Sequence, residues 1–170
     1  MLGYVISEGR GTVDPLMAEV AHRLMVQGWP VAGVIQLNSE TGPETKCDMD
    51  LQILTGAEPV RISQRLGRFA RGCRLDPAGL ERAVGLVERA LDDRPRLLLI
   101  NKFGKAELEG RGFRPLIGRA LLEGVPVLTA VNRGNLPGFH AFTDGIGTAL
   151  PPEPGAVIDW CAGQVAPQPV

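Results

Sequence analysis

A chain of 170 residues with 44% hydrophobic residues holds enough apolar material for one good core, which predicts a single domain over residues 1–163 and a flexible tail over residues 164–170. The formal charge of −1 and a pI near 6.1 remove the bulk attraction that nucleic acid or an anionic membrane would need, so any cationic site has to be local. No run approaches a membrane-spanning length and residues 1–30 lack a secretory pattern, so the expected location is cytoplasmic; Cys47, Cys73 and Cys161 are too scattered for a disulfide framework or a zinc site and read as free thiols.

In chain order, residues 2–7 form an apolar run that reads as a strand, followed by the glycine-rich turn "EGRGTVD". Over residues 15–27, Leu16, Val20 and Leu24 with Met17, Ala21 and Met25 make an i, i+4 stripe, predicting a helix that Gly28 stops. Residues 31–37 are a second strand. The segment "CDMDLQILTGAEPVRIS", residues 47–63, reads as two short strands around a Thr-Gly turn, an inserted β-hairpin. Asp76 is placed to cap, and Pro77 to begin, a helix carrying Leu80, Ala83, Val84, Val87 and Leu91. Residues 96–100 contain Leu97, Leu98, Leu99 and Ile100 without a polar break, as a strand covered on both faces requires. A third helix over residues 114–123, with Leu116, Ile117, Ala120 and Leu121, ends at Gly124 and Pro126, and residues 125–131 form a fourth strand. A short helix is expected near residues 156–162. Strands alternating with helices of this length imply βαβ units and a mostly parallel sheet between helical layers, hence an α/β three-layer fold.

In such a sheet the loops leaving the carboxyl ends of parallel strands gather at one edge, where ligands bind. Those loops are residues 7–14, 38–46, 101–112 and 132–139, which places Arg10, Lys102, Lys105 and Arg133 on one rim with Asn38, Asn101 and Asn132. Glycines in a strand-to-helix turn let successive N–H groups converge on an anion. The expected ligand-binding set is therefore Gly9, Arg10, Gly11, Thr12, Asn101, Lys102, Gly104, Lys105 and Arg133. A working Walker loop also needs a Gly-Lys pair followed by Ser or Thr, and no lysine occurs between Met1 and Gln27. Arg10 supplies charge from a different position and Thr12 is the nearest hydroxyl. Asp14-Pro15 resembles a capped helix start, whose carboxylate is expected to occupy the amide donors that a phosphate would use.

Glu107 is the candidate catalytic base, orienting water, unless it simply faces solvent or a lysine. Asp48 and Asp50 alternate on a strand and share a face, open to a metal or to solvent. Cys47 and Cys73 flank the hairpin and either pack as small core residues or contribute thiols to one pocket, with Lys46 and Arg74 beside them. His22 and His140 have no partner at metal-ligand spacing.

The stretches "RLGRFARGCRLDPAGLERAV" and "NKFGKAELEGRGF" follow each other as two elements do in the cancer-related and thermophile nucleoside-triphosphatase family. The second is similar to that family's acidic "Asp-Glu-x-Gly-Lys-x-Glu" motif through Gly104, Lys105, Glu107 and Phe113. The resemblance spans roughly residues 1–131 and implies a P-loop-NTPase-like fold. Where that family has its magnesium-supporting Asp-Glu pair, this chain has Asn101-Lys102, so Mg is not expected to bind strongly; the cofactor is otherwise unknown. With "CDMDL", "RISQ", "RGCRLD" and "NKFGK", the whole chain more closely resembles an uncharacterised bacterial family of degenerate P-loop proteins, whose genes often accompany molybdenum transport or cofactor genes.

Three functions follow. The first is a degenerate P-loop protein binding a phosphate group or an oxyanion such as molybdate at the strand ends, an association with molybdenum homeostasis being implied by the resemblance. The second is an active nucleoside-triphosphate hydrolase with displaced groups, Arg10 or Lys102 on phosphate and Glu107 on water. The third is an interaction module without a small ligand, marked by an exposed apolar patch around Phe139, Phe142 and Trp160. The expected partner is a small anion or a nucleotide, with no nucleic acid and no membrane, and with room for a homo-oligomer.

Overall fold

The computed structural model describes residues 1–9, 11–39, 48–64 and 75–164. In chain order the elements are β1 (Leu2–Ser7), α1 (Asp14–Val26), β2 (Val31–Ser39), β3 (Asp48–Ile53), β4 (Val60–Arg61), α2 (Pro77–Asp92), β5 (Leu97–Phe103), α3 (Lys105–Leu108), α4 (Arg114–Leu122), β6 (Val127–Asn132), a 3₁₀ turn (Arg133–Asn135), α5 (Leu136–Thr143), β7 (Thr148–Leu150) and α6 (Pro154–Gly163). All seven strands form one sheet in the order β4-β3-β2-β5-β6-β1-β7. The five strands from β2 to β7 along that order pair in parallel, and β3 and β4 continue the edge as antiparallel strands. The four apolar runs are the central strands, and the inserted hairpin turns at Thr55-Gly56, where Gly56 has φ +94°. This is the mostly parallel α/β sheet of a P-loop-like three-layer fold.

Alternation along the strands sorts the core into two halves. Leu98, Ile100, Val127 and Val131 meet Leu80, Ala83 and Val87 of α2 and Ile117 and Ala120 of α4. On the opposite face Leu97, Leu99, Leu128 and Ala130 meet Met17, Val20 and Leu24 of α1 and Val157 and Cys161 of α6. Arg119 of α4 pairs with Asp92 of α2 at 2.6 Å, fastening two neighbouring helices at the surface. Among the described residues, no helix is long and apolar enough to cross a membrane.

Several local expectations change. β5 runs past Ile100 through Asn101 and Lys102 to Phe103, and α3 begins at Lys105, so the stretch expected to be a loop is strand and helix. Phe139, Phe142 and Trp160 do not make an exposed patch. Phe139 is fully buried, in edge contact with Tyr4 and Phe103; Phe142 stacks on Phe103 beneath the Arg114 guanidinium; Trp160 packs where a side chain at Gly3 would lie. Arg10, Cys47, Cys73, Lys46, Arg74 and residues 165–170 lie outside the described residues, and with them the cysteine reading and the tail.

Two predictions follow from packing. Gly33 of β2 has φ +126°, and a Cβ there would fall 1.8 Å from the Leu99 carbonyl oxygen of β5. Gly33→Ala is therefore expected to lower stability by more than about 3 kcal/mol in urea unfolding, since neither backbone can yield without breaking the central pairing. Cys161 is 2% exposed and burial pushes its thiol up to about 12. Residue-resolved mass spectrometry should find it unmodified by iodoacetamide in the native protein and alkylated in urea.

Candidate functional site

Sequence places a carboxylate, two asparagines and a glutamine near the carboxyl ends of β1, β2 and β5, and the fold joins them. Asp14 is the first residue of α1 and 8% exposed. Its expected capping role is not what the structure shows: the N-cap is Val13, without a side-chain cap bond, and the carboxylate turns to the sheet. Asn101 donates its Nδ2 to Asp14 Oδ1 at 2.8 Å, and Asn38 donates its Nδ2 to Asp14 Oδ2 at 2.8 Å. Asn101 Oδ1 accepts the Gln36 backbone N–H at 2.9 Å, and Gln36 Nε2 donates to Asn38 Oδ1 at 3.0 Å. The two described positions of this β1–α1 turn that carry an ionisable side chain, Glu8 and Asp14, are thus both acidic, where a Walker loop brings a lysine. Asn101, expected to meet a ligand, is 1% exposed and committed to this network.

In the rest of the turn, Gly11 has φ +70°, a left-handed conformation that favours glycine, and Gly9 has φ +157°. Thr12 is exposed, with its Oγ1 3.4 Å from Ser7 Oγ. A cleft of about 270 Å³ opens between the turn, α1 and β2, lined by the polar side chains of Asp14, Gln36 and Asn38 and the apolar ones of Pro15, Ala18 and Leu37. A second cleft of about 360 Å³ follows α1 toward its end, past Ala18, His22, Met25 and Val26.

The "NKFGKAELEGRGF" stretch makes a corner. Gly104 is the N-cap of α3 and donates its N–H to Glu107 Oε1 at 2.8 Å; the Phe113 N–H donates to Glu107 Oε2 at 3.1 Å. Glu107 is 5% exposed, so it is not a solvent-facing glutamate, and no ion pair with a lysine engages it among the described residues. Both oxygens hold backbone donors, which binds this carboxylate to the corner and leaves the water-orienting role without a visible opening. Gly112 has φ +61°, and a Cβ there would lie 1.8 Å from Glu107 Oε2, so the glycine makes room for the carboxylate. Burial raises the pKa of Glu107, opposed by the N–H donors of Gly104 and Phe113 and the charge of Lys102.

The cationic rim is partly neutralised. Arg133 forms an exposed ion pair with Glu8. Lys102 and Lys105 are exposed on either side of Gly104, and no ion pair engages either among the described residues. On the hairpin, Arg61 spans the pair expected to face a metal or solvent, 2.6 Å from Asp50 and 3.4 Å from Asp48. Sequence reading named Asn101 but missed that Asp14, Gln36 and Asn38 act with it; the available signal was a run of polar residues ending otherwise apolar strands.

Glu107→Ala would leave the Gly104 and Phe113 N–H groups without their acceptors, for an expected loss of about 1–3 kcal/mol in urea unfolding. A raised carboxyl pKa means that the native state keeps its proton longer than the unfolded chain. The Glu107 contribution should thus be full below the ordinary carboxylate pKa and decline as pH rises through the raised native value. The slope should vanish in the variant.

Among curated proteins, the chain is similar to the "Molybdenum import ATP-binding protein ModC 2" of Bradyrhizobium diazoefficiens, at 38% identity over 149 residues. The match covers 87% of this chain and 16% of the relative, so the chain spans about a sixth of that protein's length. No solved structure matches it significantly. A family profile described as "Protein of unknown function (DUF2478)" matches residues 2–160, and the chain belongs to that family.

Proposed function

We propose that this chain is a P-loop-like domain that works beside molybdenum handling as a binding protein, holding a small oxyanion such as molybdate without hydrolysing nucleotide. The observation that carries this reading is the sign of the charge at the two candidate seats. In the β1–α1 turn a buried carboxylate, Asp14, stands where a triphosphate would need a cation, and Asn38 and Asn101 hold it there. A phosphate entering that seat would meet like charge in a partly desolvated setting. At the β5–α3 junction, by contrast, Lys102 and Lys105 are exposed and outside any ion pair among the described residues, whereas Arg133 is taken by Glu8.

Two ammonium groups suit a compact dianion. Each close pair contributes about 4 kcal/mol of Coulomb attraction at intermediate dielectric before desolvation, and salt screens much of it at an exposed rim. Binding should therefore be modest and sensitive to ionic strength. The name of the similar relative supports the molybdenum connection, and Asn101-Lys102 in place of an acidic pair supports the loss of magnesium-dependent chemistry.

Isothermal titration at low salt with molybdate, sulfate, phosphate and ATP, each with and without magnesium, tests the reading. Heat from an oxyanion without magnesium is expected, weakened by added NaCl and in Lys102→Ala and Lys105→Ala. Both variants should keep the native Tm because the side chains are exposed. Magnesium-dependent ATP turnover would replace this function by hydrolysis, and silence with every anion would leave an interaction module.

A further inference from the structure

Among the described residues two buried side-chain polar atoms lack a partner, Thr129 Oγ1 inside the sheet and Gln36 Oε1, whose side chain lines the cleft beside α1. A carboxylate only accepts, so Asn38 and Asn101 must both turn their NH₂ groups toward Asp14. Asn38 then presents Oδ1 to Gln36, which must answer with Nε2, while Asn101 Oδ1 takes the Gln36 backbone N–H. Every amide orientation follows from the carboxylate rather than from a free choice between near-equivalent atoms. The last group in this chain of donors and acceptors, Gln36 Oε1, has no partner among the described residues, although Gln36 is 5% exposed. Buried acceptors are ordinarily satisfied, so this oxygen calls for a donor.

The side-chain capacity that the network leaves unfilled is of accepting kind: Gln36 Oε1 and the further lone pairs of the Asp14 carboxylate accept hydrogen bonds, while the NH₂ groups of Asn38, Asn101 and Gln36 each already donate within the network. An oxyanion brings only acceptors and negative charge and is mismatched on both counts. Pro15, Ala18 and Leu37 complete the cleft with apolar surface, and Leu37 is 39% exposed. A ligand that fits has a short hydrocarbon stem and a donor-rich cationic head.

We propose that this cleft binds an alkylated guanidinium or ammonium group, whose head donates to Asp14 and Gln36 and whose methylenes lie against Pro15, Ala18 and Leu37. Neither Lys102 nor Lys105 lines this cleft, so the oxyanion reading and this one stand or fall on different residues.

The test is a ¹H–¹⁵N NMR titration of the full chain with n-propylguanidinium and n-butylammonium chloride, followed at the amides of Gly11, Leu37 and Asn38 and at the side-chain NH₂ groups of Gln36 and Asn38. Saturable shifts are expected, with affinity about ten-fold or more weaker in Asp14→Asn, as loss of one charge-assisted bond implies. Gln36→Leu, which removes the orphan acceptor, should also bind more weakly while keeping a native spectrum; should Asp14→Asn unfold, this variant decides alone. Lys102→Ala should bind the cation as the parent does, which separates this outcome from the oxyanion test. The tripeptide acetyl-Ala-Arg-Ala-amide binding more tightly than n-propylguanidinium would assign the head group to a polypeptide side chain, and the reverse order to a free small cation; either supports the proposal. Unsaturable shifts, undiminished binding to Gln36→Leu, or the same resonances moving with molybdate or magnesium chloride in place of the organic cations would overturn it.

Discussion

The carboxylate of Asp14 is the constraint on which the edge at the carboxyl ends of β2 and β5 depends. It joins the first residue of α1 to the ends of β2 and β5, across sequence separations of 24 and 87 residues. A buried charge tolerates this position only because donors surround it, and Asn38 and Asn101 are those donors. Their orientation then dictates that of Gln36. One acidic side chain thus sets the polarity of a whole layer of amides at the place where a related architecture would receive phosphate.

The second polar corner works by the same rule with the opposite consequence. Glu107 is buried with both oxygens filled by backbone N–H groups, so its two acceptors organise chain geometry: the start of α3, the turn at Gly112 and the approach of Phe113 to the core. Lys102 and Lys105, flanking the same corner, point their charge outward instead. The Gly-Lys-x-Glu register therefore separates into an inner part that shapes the fold and an outer part that is exposed. A motif with spacing this specific invites a catalytic reading, yet spacing alone does not distinguish a carboxylate that meets water from one that ties down a turn.

Much of the architecture was readable from periodicity. Leu97 to Ile100 has to be a strand buried on both faces, and the stripes of residues 15–27 and 76–91 have to face a core. The hairpin was announced by its Thr-Gly turn. The elements that escaped notice carry weak local signals. β7 is three residues long and exists because β1 offers it an edge to pair with. In α5, "LPGFHAFT" breaks the helical pattern with Gly138, which is needed because a side chain there would reach within 2.3 Å of Leu108. Phe139 and Phe142, expected at the surface, pack against partners that their own segment does not reveal, Tyr4 and Phe103, and Trp160 packs beside Gly3 of β1.

Sequence by itself determined the class of fold, the order of the main strands and helices, and the collection of their polar ends at one edge, because hydrophobic periodicity is a property of neighbouring residues and survives without knowledge of contacts. Tertiary structure alone decided which charges are spent and which are available. Asp14 turning from its own helix to two strands, Arg133 closing on Glu8, Glu107 sinking beneath Gly112 and Gln36 keeping an acceptor unpartnered among the described residues all depend on groups remote in the chain. The fate of a polar group is settled by which donors and acceptors the fold brings within about 3 Å of it, and no local pattern encodes that.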